Sequence, residues 1–520
     1  MSPQRFGSGS RCRYRAPLSF SLPEALPLSD HKQEADPGLD DRVESGIARL
    51  DYILKGGFLR GGMYAIYGPP GAGKTMMATQ FCFNHVKGGG RCVYFTVLTE
   101  SHSKLVRHLK PMSFFDPTAI GHGLKFIAAY QTLKDEGVHG FLQLVQRTLA
   151  QEKPSVIVID GLESVEQIAG DAQHAREFLH QLQGFAFLTG TTTLLCAVSE
   201  GPRAARLEDA LVDGVIELSD QLVGPRAVRE LTVHKFRGSD YLRGRHETEI
   251  TDGGLQIHPR TEVQFDDPPA SATEQRVRQA FGVPGLDSMM EGGIPSGSSV
   301  ALLGAPGAGK TTLGLGFLIE GAKRGNKGIY FGFYEPPPRL MEKAAALGLP
   351  LEEHVKSGMI ELIWQPPLEH FMDSLAESLL EKVRSDQHDR RRLFIDGIEG
   401  FRSAAVYPER IPRFLSALTN QLRTYDVTTV VSEELPLFRA EVDMPNPEMG
   451  NVVETVLLLR YVELKSQLYR LVSIMKMRES RYDTSIRQFE ITGHGVDVQG
   501  SFETAEAILS GLPRSRGGEA

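Results

Sequence analysis

The chain has 520 residues, more than one hydrophobic core normally supports, so at least two domains are expected. Its 41% hydrophobic and 23% charged residues are ordinary for a soluble protein, and no apolar run approaches the roughly 18 residues of a membrane span, so a cytoplasmic protein without membrane attachment is expected. The net charge of −8 speaks against a nucleic-acid coat, and four cysteines without C-x-x-C or His/Cys ligand spacing speak against structural zinc and for a reducing compartment.

Residues 1–41 are rich in Ser, Pro and Arg and have no acidic residue before Glu24. They read as a disordered tail. Transit peptides share that composition, but the prolines oppose an amphipathic helix. A first domain is expected over 42–258. It opens with Gly46-Ile47-Ala48-Arg49-Leu50-Asp51 and predicts strands at Met63–Tyr67, Arg91–Thr96, Ser155–Ile159, Thr192–Val198, Gly214–Leu218, Arg229–Phe236 and Thr248–Ile250. Residues 259–280, with Asp266-Asp267-Pro268-Pro269, predict a linker. A second domain over 281–502 opens with Gly282-Val283-Pro284-Gly285-Leu286-Asp287. It predicts strands at Val300–Leu303, Gly328–Phe333, Leu393–Ile395, Val427–Val431, Val453–Arg460, Ser466–Met477 and Gln488–Ile491. Residues 503–520 form a short tail. Strands alternating with helices, then strands alone, predict in each half an α/β domain whose mainly parallel sheet ends in antiparallel strands.

The two halves stay in register at a spacing of 236 residues, the mark of a tandem duplication. Each carries a complete phosphate-binding loop, Gly68-Pro69-Pro70-Gly71-Ala72-Gly73-Lys74-Thr75 and Gly304-Ala305-Pro306-Gly307-Ala308-Gly309-Lys310-Thr311. The glycines let backbone N–H groups curl around phosphates, Lys74 and Lys310 reach the terminal phosphates, and the Thr75 and Thr311 hydroxyls suit Mg²⁺. Two bound ATP molecules with Mg²⁺ are therefore expected. Asp160 and Asp396 each end an apolar run at matched distance from their loop, where a carboxylate belonging to the Mg²⁺ site is expected.

Hydrolysis needs a group that activates or positions water, and Glu100 and Glu335 follow the next predicted strand in each half, 235 rather than 236 residues apart. A surface glutamate in a loop is the alternative. Lys235-Phe236-Arg237 and Lys476-Met477-Arg478 each place two cations on one face of a strand. They predict phosphate contacts delivered to the nucleotide of a neighbouring subunit, the alternative being a solvated basic edge. Ser199-Glu200 and Ser432-Glu433, each following a predicted strand, could sense the γ-phosphate or be plain polar strand ends.

From about Arg42 to Pro513 these parts, with Ile250-Thr251-Asp252-Gly253-Gly254 and its echo Ile491-Thr492-Gly493-His494-Gly495, resemble the KaiC-like branch of the RecA superfamily. The resemblance implies two tandem RecA-like P-loop domains and a homo-oligomeric ring, expected as a hexamer, with ATP between subunits. It also implies a slow ATPase in the first tier and, in the family's clock protein, an autokinase in the second. Two departures bear on function. Where family members place two adjacent glutamates, this chain has Glu100-Ser101 and Glu335-Pro336. The stretch matching the clock protein's phosphorylated Ser-Thr pair falls at Gly450-Asn451, and Asp443–Val453 holds no hydroxyl residue.

The expected function is a ring ATPase in a signalling or regulatory role, acting with a regulatory or signalling protein that the sequence does not name. Alternatives are a serine/threonine kinase acting on itself elsewhere or on a partner, a DNA-dependent recombination or repair ATPase, and a nucleotide-gated scaffold that barely hydrolyses. The acidic balance and the absence of a separate DNA-binding module weigh against nucleic acid as a partner.

Overall fold

The computed structural model describes residues 41–97, 102–199, 210–264, 277–385, 390–436, 450, 452–464, 466–478, 480–493 and 495–501. Two nine-stranded sheets organise these residues. The first contains β1 (Met63–Gly68), β2 (Cys92–Thr96), β3 (Leu124–Ala128), β4 (Val156–Asp160), β5 (Thr192–Val198), β6 (Gly214–Val223), β7 (Arg226–Phe236), β8 (Arg245–Thr251) and β9 (Gly254–His258). The second contains β10 (Ser299–Gly304), β11 (Lys327–Gly332), β12 (Ile360–Trp364), β13 (Arg390–Asp396), β14 (Thr428–Glu434), β15 (Thr455–Leu464), β16 (Gln467–Met477), β17 (Arg487–Thr492) and β18 (Gly495–Ser501). Their spatial orders, β3-β2-β4-β5-β1-β6-β7-β8-β9 and β12-β11-β13-β14-β10-β15-β16-β17-β18, are the same topology twice. The first six strands of each order run parallel and the last three join antiparallel.

The central strands are apolar along their whole length because helices cover both faces of the sheet. In β1, β2 and β4 every residue is buried. Successive side chains alternate between two cores, as strand geometry requires: Tyr64, Ile66 and Tyr94 enter one, Ala65, Tyr67 and Phe95 the other. Large apolar side chains such as Ile66 and Phe95 each contribute about 1.5–3 kcal/mol when fully buried. In the second domain Val300, Leu302 and Phe394 face one core and Ala301, Leu303 and Ile395 the other.

Four strands that the sequence pattern does not announce, β3, β9, β12 and β18, lie at the sheet edges. An edge strand buries only part of its side chains, as in the mixed pattern of β3, so its apolar run is broken. Strand β13 begins three residues before the expected Leu393 because a fully buried arginine interrupts the apolar run. The Arg392 guanidinium donates through Nη1 to Ala280 O and Phe317 O, both at 2.7 Å, and through Nη2 to Gln279 Oε1 at 2.8 Å, while its buried Nε has no hydrogen-bond partner among the described residues.

The start of the expected linker is firmly held. Thr261 donates through its backbone N–H and its hydroxyl to Asp373 Oδ1 at 3.0 and 2.9 Å, and Gln421 Nε2 donates to Thr261 O and Gln264 O. Residues 265–276, including the Asp266–Pro269 run, lie outside the described residues. Arg410 of the second domain makes a two-pronged bond to Glu262, at 3.0 and 2.7 Å, and also donates to Asp373. These bonds tie residues 261–264, which follow the last strand of the first domain, to Arg410, Gln421 and helix Met372–Ser385 of the second. Among the described residues no helix is long and apolar enough to cross a membrane.

Candidate functional site

Both phosphate-binding loops lie where the topology directs them, between the carboxyl end of a central strand and a helix. Gly68 ends β1 and helix α1 (Lys74–Lys87) begins at Lys74; Gly304 ends β10 and helix α2 (Lys310–Lys323) begins at Lys310. Gly71 and Gly307 lie within the loops. Gly73 and Gly309 cap the two helices at φ 104° and 105°, a left-handed backbone that glycine adopts without cost. A Cβ at Gly309 would lie 2.8 Å from the Phe489 ring, and one at Gly73 would lie 3.1 Å from Ile250. The Ile250–Gly254 motif therefore has a place: it forms the turn from β8 to β9, packed on the loop and held to α1 by Gln80, which accepts from Leu255 N at 2.8 Å.

The lysines and carboxylates converge at the loops. Lys74 Nζ donates to Gly68 O at 2.7 Å and Pro69 O at 2.9 Å, and Lys310 Nζ to Gly304 O and Ala305 O at 2.7 and 3.0 Å. Burial pushes both ammonium groups below the usual lysine range, while nearby carboxylates, Asp160 and Glu163 in one domain and Glu434, Asp396 and Glu399 in the other, pull the other way. Thr75 Oγ1 donates to Asp160 Oδ2 and Thr311 Oγ1 to Asp396 Oδ2, each at 2.9 Å. A hydroxyl and a carboxylate side by side are hard oxygen donors of the kind Mg²⁺ takes. The first turns of α1 and α2 carry no acidic residue, so the helix N-termini present N–H groups that suit phosphate. The residues present thus fit Mg²⁺ and a polyphosphate.

Two pairs of groups in this cluster are not singled out by motif reading. Tyr94 and Tyr330, one on the strand beside each carboxylate, donate their hydroxyls to Asp160 Oδ2 at 2.7 Å and Asp396 Oδ2 at 3.0 Å. Glu163 Oε2 accepts from Val198 N at 3.2 Å, and Glu399 Oε1 from Glu434 N at 2.7 Å. The signal for these was available: an Asp-Gly-x-Glu sequence and a tyrosine recur at the 236-residue spacing. Ser432, expected from the sequence either to sense the γ-phosphate or to be a plain polar strand end, donates its hydroxyl to Asp396 Oδ1 at 2.9 Å. Burial pushes Asp160 and Asp396 above the usual carboxyl range, and these hydroxyl donors pull them back.

The sheet register changes the pairing of the strand-end residues. Gly68 lies opposite Val198 and Gly304 opposite Glu434, so the counterpart of Ser432 is Cys196, not Ser199. Ser432 and Glu433 lie inside β14 rather than after it, and Glu433 is buried in an ion pair with Arg402 at 2.7 Å. Glu200 lies outside the described residues.

Glu335 follows β11 and pairs with Lys343 Nζ at 3.0 Å. Glu100 lies outside the described residues. Thr96 and Gly332 are counterparts, each beside the aspartate of its domain, so the 236-residue spacing sets Thr99 rather than Glu100 against Glu335.

The Lys-x-Arg pairs occupy the other end of the sheets. Lys235 pairs across from Val215, and Gly214 lies beside Tyr64, near the start of β1; Gly68 and the loop are at the finish. Val215 itself lies beside Ala65, and at about 3.3 Å per residue the three steps from Ala65 to Gly68 set Lys235 some 10 Å along the strand from its own loop, with Arg237 further still. Lys476 stands likewise across from Val456, near the start of β10. A bulge adjoins both lysines, and bulges re-aim side chains. Lys235 Nζ donates to Val212 O and Arg237 to Ala210 O; Lys476 Nζ donates to Val453 O and Gly450 O. Arg478 follows the end of β16 with its backbone N–H on Glu454 O at 3.0 Å. Burial and the Arg478 charge hold the Lys476 ammonium below its usual range.

The family model described as the KaiC ATPase matches residues 43–262 and, a second time, 280–503. Among curated proteins, the circadian clock oscillator protein KaiC of Rippkaea orientalis is 25% identical, over 94% of this chain and 95% of its own length. Those of Parathermosynechococcus lividus and Synechococcus elongatus are also 25% identical, each over 91% of this chain and over 88% and 92% of their own.

Proposed function

Because the chain belongs to the KaiC ATPase family, we propose that it binds one Mg·ATP at each phosphate-binding loop and hydrolyses ATP at seams between copies arranged in a ring, expected as a hexamer. The observation that carries this reading is the position of Lys235, Arg237, Lys476 and Arg478 at the sheet end opposite their own loops. Cations there are out of reach of the nucleotide their own domain holds. In a head-to-tail arrangement they meet the phosphates bound by the next copy, as a phosphoryl-transfer site completed in trans requires.

In each domain the loop N–H groups and Lys74 or Lys310 bind the phosphates. Thr75 with Asp160, and Thr311 with Asp396, would hold Mg²⁺, which when bound neutralises charge building on the β- and γ-phosphates. Glu335 is the second domain's water-positioning group, and release from Lys343 frees its carboxylate for that work. Glu100 remains the candidate in the first domain. The chain serves a signalling or regulatory role through the coupling of nucleotide state to ring assembly: these cations meet a neighbour's phosphates only when that neighbour is loaded.

Native mass measurement with bound nucleotide counted tests the reading. With Mg·ATP the particle is expected to be a multiple of the chain, and its removal shifts the population towards smaller species. Lys235→Ala with Lys476→Ala is expected to do the same at saturating nucleotide. A monomer indifferent to nucleotide contradicts the reading.

A further inference from the structure

Two copies of one site within one chain allow each position to be read against its twin, and the carboxylates of the two sites are held differently. Both accept at Oδ2 from a loop threonine and a core tyrosine. Asp396 is held at its other oxygen as well, by Ser432 Oγ at 2.9 Å. The same hydroxyl accepts from Gly397 N at 2.8 Å, which points its single proton at the carboxylate. The register sets Cys196 directly beside Asp160, where a serine stands beside Asp396. There Gly161 N turns to the Cys196 backbone carbonyl at 3.1 Å, and among the described residues the side-chain donors to Asp160 are Thr75 and Tyr94, both on Oδ2. A thiol is a weak donor, so it offers little in place of the serine O–H.

A carboxylate fixed at both oxygens has its orientation set before an ion arrives; one fixed at a single oxygen must still give up rotational freedom. Groups that orient a metal-binding carboxylate typically alter metal affinity by about 10- to 100-fold. We propose that Ser432 is a positioning residue that makes the second domain the tighter divalent-cation site, and that Cys196 makes the first the weaker one. This rests on the assignment of Asp160 and Asp396 to the Mg²⁺ sites given above.

Mn²⁺, followed by the loss of its free-ion paramagnetic resonance signal in the presence of ADP, tests the inference on the full-length chain without any turnover. The unaltered chain is expected to show two classes of site differing by at least about tenfold. Ser432→Ala should weaken the tighter class by about 10- to 100-fold, with nucleotide still bound at both loops, and Ser432→Thr, which restores a hydroxyl, should recover it. Cys196→Ser should tighten the weaker class until the two converge. Equal affinities in the unaltered chain overturn the inference, as does a Ser432→Thr chain no better than Ser432→Ala. A chain that binds no ADP at either loop contradicts the nucleotide assignment itself, which separates the two failures.

Discussion

Lys74→Ala and Lys310→Ala are each expected to leave the chain with about one bound nucleotide instead of two, and the double variant with none. Each ammonium is drawn into its loop by carbonyl oxygens at 2.7–3.0 Å, and burial makes its charge costly unless an anion answers it. A triphosphate answers it more fully than a carbonyl. Charge-assisted hydrogen bonds contribute about 1.5–3 kcal/mol each, so losing two weakens binding by about 3 kcal/mol or more, over a hundredfold. The loop backbone and helix N-terminus remain, so the variants should fold and keep the other site. Nucleotide released on denaturation and counted per chain is the measurement. Two nucleotides retained in either single variant would falsify the assignment of both loops.

Arg410→Met is expected to destabilise the seam between the domains by about 3–5 kcal/mol, the usual cost of removing one member of a buried charge cluster. Arg410 stands among Glu262, Asp373 and Glu247, which come from both domains and are themselves buried or nearly so. Without the guanidinium three acidic side chains are left close together, with no cation among them, in a medium that screens charge poorly. The amides of Thr261 and Asp373, whose bonds cross the seam to Asp373 Oδ1 and Glu247 Oε2, should then exchange with solvent far faster. Unchanged protection at both positions contradicts the prediction.

The same cluster gives the seam a pH dependence with a definite sign. Burial first, and the Asp373 charge second, push the Glu247 carboxyl well above its usual range, and its buried Oε1 has no hydrogen-bond partner among the described residues. Folding favours the protonated form, so its contribution is complete below the ordinary carboxyl range and is lost as pH rises through the folded value. Glu262 behaves oppositely. Burial raises it, but the bonds and charge of Arg410 prevail and hold it below its usual range, so its contribution is lost as pH falls. Glu247→Gln, neutral at every pH, is expected to flatten the loss on the alkaline side and leave the acid side unchanged. Denaturant midpoints measured across pH provide the check.

The parts that a local motif can carry were legible without coordinates. A phosphate-binding loop is eight consecutive residues, and an aspartate ending an apolar run is five in the first half and four in the second; duplication at one fixed spacing made both stand out. The six parallel strands of each sheet declare themselves where both faces are buried, as β1 and β4 do, and fade at the edges, as β3 and β12 do. Arg392 hid the start of β13 because no sequence pattern reveals that a charged side chain will find three carbonyl acceptors in a core.

Sequence by itself therefore determined that this protein is two copies of one α/β domain of the ATP-binding kind, and it picked out the lysine, threonine and aspartate that the fold brings together at each loop. Tertiary structure alone decided which end of each sheet the Lys-x-Arg cations occupy, that Cys196 rather than Ser199 is the twin of Ser432, and that Arg410 ties the domains together. The reason is physical: motif residues are joined by the chain, whereas strand register and the domain seam are set by hydrogen bonds between residues far apart in sequence, such as Val215 with Lys235 or Glu262 with Arg410.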